Sequence, residues 1–124
     1  MTTGGGKAPR RAKERVSAAA FAITVAFELV EGAFPEFHRL VSENAALSVE
    51  LEPDCFRFDV LTREHAAETT CVFLYEIYKD RAAFDLHLAS EHFRQFDQRS
   101  RDLVISKTVI AYAVQENAKT PERT

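Results

Sequence analysis

Apolar and polar residues alternate along this chain with the period of a β-strand in four segments. Residues 21–30 (FAITVAFELV) and 55–61 (CFRFDVL) point successive side chains to opposite faces. Residues 71–78 (CVFLYEIY) are apolar on both faces apart from Glu76, which is typical of a strand inside a sheet. A fourth strand is predicted over residues 103–114.

The segments between these strands have a helical period instead. Residues 35–51 carry one apolar stripe, and Pro35 in the first turn and Pro53 after the last turn are typical of helix boundaries. The stripe consists of Phe34, Phe37, Leu40, Val41, Leu47 and Leu51. Two shorter helices are predicted after the third strand, over residues 80–88 and 91–101.

Strands and helices therefore follow the order β-α-β-β-α-β, with the second helix broken in two. This order predicts an α+β, ferredoxin-like fold, in which a four-stranded antiparallel sheet carries its helices on one face. The opposite face of the sheet would remain apolar and uncovered. Because self-association is the commonest way to cover such a surface, we expect a homodimer through the apolar sheet face.

Length and charge suggest one domain with polar ends. We expect a disordered basic tail over residues 1–17, the folded domain over residues 18–115 and a polar C-terminal tail over residues 116–124. Residues 1–15 carry a charge of +4 and residues 16–124 carry −7. Because an acidic domain repels a phosphate backbone, no nucleic-acid partner is predicted.

The sequence shows neither a membrane segment nor a cofactor motif. The most apolar run, residues 18–27, is well short of the ~18 residues that a membrane helix needs, so no membrane association is predicted. The four histidines show no HxH or HExxH spacing. We therefore expect no metal and no organic cofactor.

The turn between the second and third strands predicts how these strands pair. A hairpin centred on residues 66–67 places Arg57 opposite Glu76. In this register Cys55 and Cys71 are seven positions apart along the ladder, about 23 Å, and cannot form a disulfide. We expect both to be buried thiols in a reducing, cytoplasmic compartment.

Three motifs occur in order along the chain. They are EPDCFRFDV (residues 52–60), YEIY (residues 75–78) and the set Ala83, His87, Ser90, His92 and Phe93. Together with Asn44, these motifs resemble the EPGCxxFxV, YExY and AxxxHxxSxHF patterns of the antibiotic biosynthesis monooxygenase family. The similarity covers residues 20–114 and is greatest to the small quinol monooxygenases and to the isomerases of the autoinducer-2 pathway.

The resemblance implies a dimeric α+β barrel with a pocket in each subunit between the sheet and the helices. Family members oxidise quinols or polyketide aromatics with O₂ and without metal or flavin, isomerise a small phosphorylated dione, or degrade haem. The chain contains no Trp, on which the haem-degrading branch relies, so that activity is not expected. Asp54 stands where the family usually has Gly, at a turn position that Asp tolerates.

The predicted catalytic residues are Asn44, His87 and His92. Asn44 falls on the apolar stripe of the first helix, where an amide is costly unless it is hydrogen-bonded or reserved for a ligand. His87 shares a helical face with Ala83 and should point at the sheet, and His92 lies at the start of the next helix. Each of these residues also has a purely structural interpretation.

The predicted substrate-pocket residues are Tyr75, Glu76, Tyr78, Phe93 and Arg57. Tyr75 and Tyr78 point to opposite faces of one strand, so at most one of them lines a pocket. Glu76 either lies in a pocket with a raised pKa or pairs with Arg57 across the hairpin, and direct cross-strand pairing is the favoured interpretation.

Three functions agree with these residues. The first is a cofactor-independent monooxygenase that oxidises a quinol or related electron-rich aromatic with O₂, in which His87 or His92 is the base and Asn44 holds the oxygen anion. The second is an isomerase of a small phosphorylated carbonyl compound, with Arg57 or Lys79 as the phosphate anchor. The third is a ligand-binding dimer without catalysis. The fold alone does not choose among them.

Overall fold

The computed structural model describes residues 20–64, 68–116 and 118. The expected basic tail, residues 1–17, lies outside these ranges, as does most of the expected C-terminal tail. The elements are β1 (Phe21–Leu29), α1 (Phe34–Leu51), β2 (Cys55–Leu61), β3 (Cys71–Tyr78), α2 (Arg81–Ala89), α3 (Glu91–Ser100), a 3₁₀ turn (Arg101–Leu103) and β4 (Val104–Ala113).

The four strands form one antiparallel sheet in the order β2-β3-β1-β4. β3 lies between β2 and β1, as its apolar sequence predicts. The three helices pack on one face of this sheet, and the predicted α+β, ferredoxin-like fold is confirmed. Within the described ranges, no helix combines the length and the apolar character needed to cross a membrane.

A β-bulge in β2 changes the register that the hairpin was expected to have. Cys55 pairs with Tyr78, but the register then shifts by one residue, so that Arg57 pairs with Ile77 and Phe58 with Glu76. The predicted pairing of Arg57 with Glu76 is therefore wrong. A bulge inserts one unpaired residue into a strand and leaves no trace in a simple alternating pattern.

The core lies between the sheet and the helices. The rings of Phe27, Phe37 and Phe96 meet edge to face, with centroids 4.9 to 6.1 Å apart, and join β1, α1 and α3. The apolar stripe of α1 is buried at Phe37 but not at Leu51, which is 59% exposed. Leu51 is the last residue of α1, where polar side chains face inward instead, so its assignment to the buried stripe is wrong.

The other face of the sheet is apolar and, in the described chain, uncovered. We call it the open face; its exposed apolar side chains are Leu61, Phe73, Tyr75, Ile110 and Tyr112. Cys71 alternates with Phe73 and Tyr75 onto this face and is exposed, so the expectation that both thiols are buried is wrong for Cys71 and correct for Cys55. These two described cysteines are not joined by a disulfide.

Candidate active site

A cavity of about 180 Å³ lies between the helix-covered face of the sheet and the three helices. Most of its wall is apolar and consists of Val25, Phe27, Phe58, Leu74, Phe84, Leu88, Phe93, Phe96 and Val109. Four polar side chains complete it: Asn44, Glu76, His87 and Lys107. An apolar cavity with a few placed polar groups is the usual form of a small-molecule site.

His87 reaches this wall because α2 begins at a defined point. The Asp80 carboxylate accepts a hydrogen bond from the backbone N–H of Ala83 at 2.9 Å and so caps the helix. Ala83 and His87, one turn apart, are the buried residues of α2. The His87 ring is 2% exposed and packs against Phe93 and Tyr78, with centroids 5.1 and 5.6 Å away.

Glu52, the residue after the last turn of α1, joins both histidines. Its Oε2 accepts a hydrogen bond from Nδ1 of His87 at 2.8 Å and from Nε2 of His92 at 2.5 Å. Burial opposes the charge of this carboxylate, but the hydrogen bonds from His87 and His92 outweigh it and hold the pKa of Glu52 below its usual value. Glu52 is therefore an ionised acceptor at neutral pH.

The hydrogen bond between His87 and Glu52 determines which ring nitrogen of His87 can act as a base. Because a carboxylate only accepts, Nδ1 of His87 carries the proton in this arrangement, and the neutral ring has its lone pair on Nε2. In the described chain both hydrogen-bond contacts of the His87 ring are made through Nδ1. His87 lines the cavity, and Nε2 carries the lone pair with which its ring can act as a base.

Asn44 and Ser48 are one helical turn apart in α1, and Glu52, the residue after α1, follows four residues later on the same side. Ser48 Oγ donates to the backbone carbonyl of Asn44 at 2.7 Å and lies 3.4 Å from Nδ1 of His87. Neither Ser48 nor Glu52 was among the predicted site residues. Their four-residue spacing from Asn44 is the signal in the sequence that could have identified them.

The Asn44 side chain is held in the cavity wall without a partner for its oxygen. Asn44 is 2% exposed, and its Oδ1 makes no hydrogen bond with any described residue. A buried amide oxygen without a hydrogen-bond partner costs free energy. Such atoms are rare in folded proteins, and an exception is a candidate for a functional role. Rotation of the amide by 180° presents NH₂ in place of oxygen, so this position can either accept from a hydroxyl or donate to an oxygen anion.

Glu76 is the second carboxyl group of the site. It is 3% exposed, and its Oε1 accepts a hydrogen bond from the Tyr78 hydroxyl at 2.7 Å. Burial raises the pKa of Glu76 to about 7, against the opposing effect of that hydrogen bond. Burial and the neighbouring Glu76 raise the pKa of Tyr78, which keeps its hydroxyl protonated as a donor. Glu76 can therefore give or take a proton near neutral pH.

Lys107 from β4 adds a cation to the wall, and its position in the last strand gave no signal in the sequence. Its Nζ lies 3.5 Å from an Asp97 carboxylate oxygen. It also lies 5.8 and 5.6 Å from the ring centroids of Phe27 and Phe93, at the distance of a cation–π contact. These contacts hold the charge at the edge of an aromatic wall.

A model of the antibiotic biosynthesis monooxygenase family matches residues 20–99. The chain belongs to this family. The matched residues include every polar group of the site except Lys107. Membership supports a monooxygenase-type function and leaves the substrate open. A comparison with functionally curated proteins gives no match.

Solved structures that carry the family's name have the same fold. One from Bacteroides thetaiotaomicron is 20% identical, with a TM-score of 0.75 over 86% of this chain and 100% of that chain. One from Nitrosomonas europaea is 22% identical, with a TM-score of 0.71 over 80% of this chain and 93% of that chain. One from Caulobacter crescentus is 16% identical, with a TM-score of 0.72 over 79% of this chain and 92% of that chain. At these identities the likeness shows the fold alone.

In this family member the predicted site residues fall into three groups. Asn44, Glu76, His87 and Phe93 line the cavity. Tyr78 and His92 lie behind the wall, where Tyr78 is hydrogen-bonded to Glu76 and His92 to Glu52, the partner of His87. Arg57 and Tyr75 do not line the cavity, because the bulge and the strand alternation turn them to the open face. There Arg57 Nε donates to Asp59 Oδ2 at 2.6 Å.

Proposed function

We propose that this protein is a cofactor-independent monooxygenase that oxidises a small quinol, or a related electron-rich phenol, with O₂. The observation that carries this proposal is the Glu52–His87 pair at the wall of an apolar cavity. A carboxylate that fixes the imidazole tautomer and leaves the other nitrogen facing a ligand is the usual arrangement of a histidine base.

The size of the cavity supports a substrate with one aromatic ring. An apolar protein cavity of about 150 Å³ holds benzene, and this cavity is slightly larger, at about 180 Å³. The rings of Phe58 and Phe93 in its wall can stack on an aromatic substrate. Exclusion of water from such a wall also protects a reactive substrate anion.

The same wall gives less support to a phosphorylated substrate. Arg57, one expected phosphate anchor, lies on the open face, and the other, Lys79, is exposed and outside the cavity wall. Among the described residues of the wall, Lys107 is the one Lys or Arg, and its ammonium group already forms an ion pair with Asp97. A phosphate site normally gathers several cationic or N–H donors.

The roles of the residues follow from their positions. His87 Nε2 takes the phenolic proton, and the amide of Asn44, turned to present its NH₂, donates to the resulting oxygen anion. The electron-rich anion then reduces O₂. A quinol and O₂ give a hydroxyquinone and water, with one atom of O₂ in each product. Glu76, with a pKa of about 7, returns a proton to the reduced oxygen.

We further propose that a second copy of the chain covers the open face. Five large apolar side chains are exposed there, and a monomer rarely leaves so many on one sheet face. A two-fold axis would bring identical patches together. The assembly leaves the cavity within each copy, because the cavity lies on the opposite side of the sheet.

Oxygen consumption with single-ring quinols tests the catalytic proposal. With ¹⁸O₂, one labelled atom is expected in the quinone product. His87→Gln should lower kcat by ~10²-fold or more, and Asn44→Ala by about 10-fold or more. His38→Gln, at an exposed histidine of α1, is the matched control and should leave kcat unchanged.

Other outcomes would replace the proposal. Oxidation without ¹⁸O in the product would indicate an oxidase, and isomerisation of a phosphorylated dione without O₂ uptake would indicate the isomerase. If neither reaction occurs and both variants lose only stability, the protein is a binding module.

A further inference from the structure

Glu52, His87 and His92 form a cluster with the composition of a metal site. One ligand atom from each of these three side chains lies within 4.8 Å of the other two. Oε2 of Glu52 is 2.8 Å from Nδ1 of His87 and 2.5 Å from Nε2 of His92. The side chains are 14%, 2% and 8% exposed, so the cluster is shielded from solvent but not closed to it. Glu52 and His92 are not part of the cavity wall, which places the cluster behind His87.

We propose that this cluster binds a divalent first-row transition metal, with Zn²⁺ as the best fit. Imidazole nitrogen and carboxylate oxygen are the common ligands of Zn²⁺, which accepts three protein ligands and one further ligand. With both histidines neutral, Glu52 supplies one negative charge to the ion. Ser48 Oγ is 3.4 Å from Nδ1 of His87, which is about the separation of two ligands in a tetrahedral site.

The distances require only small side-chain movements, because the ligand atoms already lie within 4.8 Å of one another. Tetrahedral ligands at about 2.1 Å from Zn²⁺ are about 3.4 Å from one another. Glu52 Oε2 is 2.8 and 2.5 Å from the two nitrogens, so it must move away by less than ~1 Å. Glu52 has extended backbone angles beyond the end of α1, and its partial exposure gives an ion a route inwards.

The sequence hides this cluster because its ligands come from three elements. His87 and His92 are five residues apart, a spacing that would separate them on one continuous helix. The chain turns at Ser90 between α2 and α3, and the centroids of the two rings are 5.9 Å apart. Glu52 then reaches both histidines from the end of α1.

The site has a consequence for catalysis that rests on the proposed function. A metal ion at Nδ1 of His87 takes the place of the proton there, and the neutral ring then carries its proton on Nε2. Nε2 of His87 would then be an N–H donor and could no longer accept a proton from a substrate. Zn²⁺ should therefore lower kcat for quinol oxidation and leave KM unchanged, because the ion binds outside the cavity.

Binding can be measured without any activity assay. Untagged, full-length protein stripped with EDTA would be titrated with Zn²⁺ in a calorimeter and with Co²⁺ while its visible spectrum is followed. We expect one ion per chain, with the ligand-field bands of four-coordinate Co²⁺. A hundredfold excess of Zn²⁺ over its Kd should raise Tm by at least ~5 °C. Mg²⁺ and Ca²⁺ prefer all-oxygen sites and should not bind.

Variants identify the ligands. His92→Gln keeps an N–H donor towards Glu52 but has no imidazole nitrogen, and it should lower the Zn²⁺ affinity by ~100-fold or more. Glu52→Gln should do the same, while His38→Gln, at an exposed histidine of α1, should bind as the wild type does. Circular dichroism would establish that each variant is folded.

The outcomes separate the metal site from the proposed function. The site is overturned if the wild type binds no stoichiometric Zn²⁺ or Co²⁺, or if folded His92→Gln binds them as tightly. Binding without any inhibition of quinol oxidation overturns the consequence for His87. Binding by a protein that oxidises no quinol supports the site and contradicts the proposed function instead.

Discussion

At the scale of single residues, the site depends on a carboxylate that lies outside the cavity. Glu52 contacts His87 and His92 but is not part of the cavity wall. Its effect on a substrate must pass through the orientation and tautomer of His87. A positioning residue of this kind affects the rate of a reaction more than the binding of its substrate.

We therefore expect Glu52→Gln to lower kcat for quinol oxidation by ~10- to 100-fold with little change in KM. The amide is similar in shape but lacks the charge that fixes the His87 tautomer. Steady-state kinetics in the presence of EDTA would measure both constants. Glu50→Gln, at an exposed position of α1 two residues earlier, should have no effect. A rise in KM at constant kcat would show that Glu52 binds substrate directly.

Glu76 makes stability depend on pH. Its pKa rises from about 4.5 in the unfolded chain to about 7 in the folded one, so the folded state retains a proton that the unfolded state has lost. The stability linked to this group is fully present below pH ~4.5 and is lost as pH rises through 7. The loss amounts to about 3 kcal/mol.

Glu76→Gln should remove this dependence, because the amide is always neutral and its oxygen can still accept from Tyr78. Urea denaturation at pH 5 and pH 8 would give the free energies of unfolding. At pH 8 we expect the free energy of unfolding of the variant to be higher relative to that of the wild type than it is at pH 5. Equal pH dependence in the two proteins would show that Glu76 is ionised in the fold.

At the scale of secondary-structure elements, Ser90 joins two helices. Its hydroxyl donates to the backbone carbonyl of His87 at 2.7 Å and accepts from the backbone N–H of Phe93 at 3.2 Å. Ser90 is therefore both the C-cap of α2 and the N-cap of α3. The angle between these helices sets how close His87 and His92 come to each other.

Ser90→Ala should destabilise the fold by about 1–2 kcal/mol, since an N-cap alone contributes about 1 kcal/mol and a second hydrogen bond is lost. Chemical denaturation would measure this change. Ser90→Thr keeps the hydroxyl and should recover most of the stability. If Thr and Ala are equally destabilising, the side-chain volume and not the cap is what matters at this position.

The elements themselves could be predicted well from the sequence, because each is long enough to show its period. The strand over residues 71–78 and the helix break at Ser90 lie where apolar alternation and capping residues place them. Asn44 and His87 could be assigned to a buried face for the same reason. In each case the prediction needs only the apolar period or the capping residue of the element in which the residue lies.

Features that depend on contacts between elements could not be predicted in this way. The bulge in β2 moved Arg57 away from Glu76, although the alternation of apolar residues gave no sign of it. Glu52 stood in a recognised motif, but its role became visible only when α1 was seen to end beside α2 and α3. His87 and His92 were predicted as site residues, but their grouping with Glu52 into a candidate metal site was missed for the same reason.

At the scale of the whole molecule, the open face should govern assembly. We expect the wild type to have twice the 14.0 kDa mass of one chain by light scattering at micromolar concentration. Ile110→Asp places a charge in the exposed apolar patch of β4 and should give a monomer. Leu86→Asp, on α2, is the matched control, because Leu86 is 70% exposed on the other side of the sheet. A wild type that runs as a monomer contradicts the proposed dimer.

The bulge in β2 also determines how the chemistry of the cavity could change during evolution. If β2 paired with β3 without a bulge, so that Phe56 lay opposite Ile77, Arg57 would face Glu76 in the place that Phe58 now occupies in the cavity wall. A one-residue slip of β2 along β3 that closes the bulge would thus bring a guanidinium next to a buried carboxyl group, whereas deletion of Phe56 would leave Phe58 opposite Glu76. In this family member, a shift of strand register, more than any one substitution, would place an ion pair in a pocket that is now lined by neutral aromatic rings.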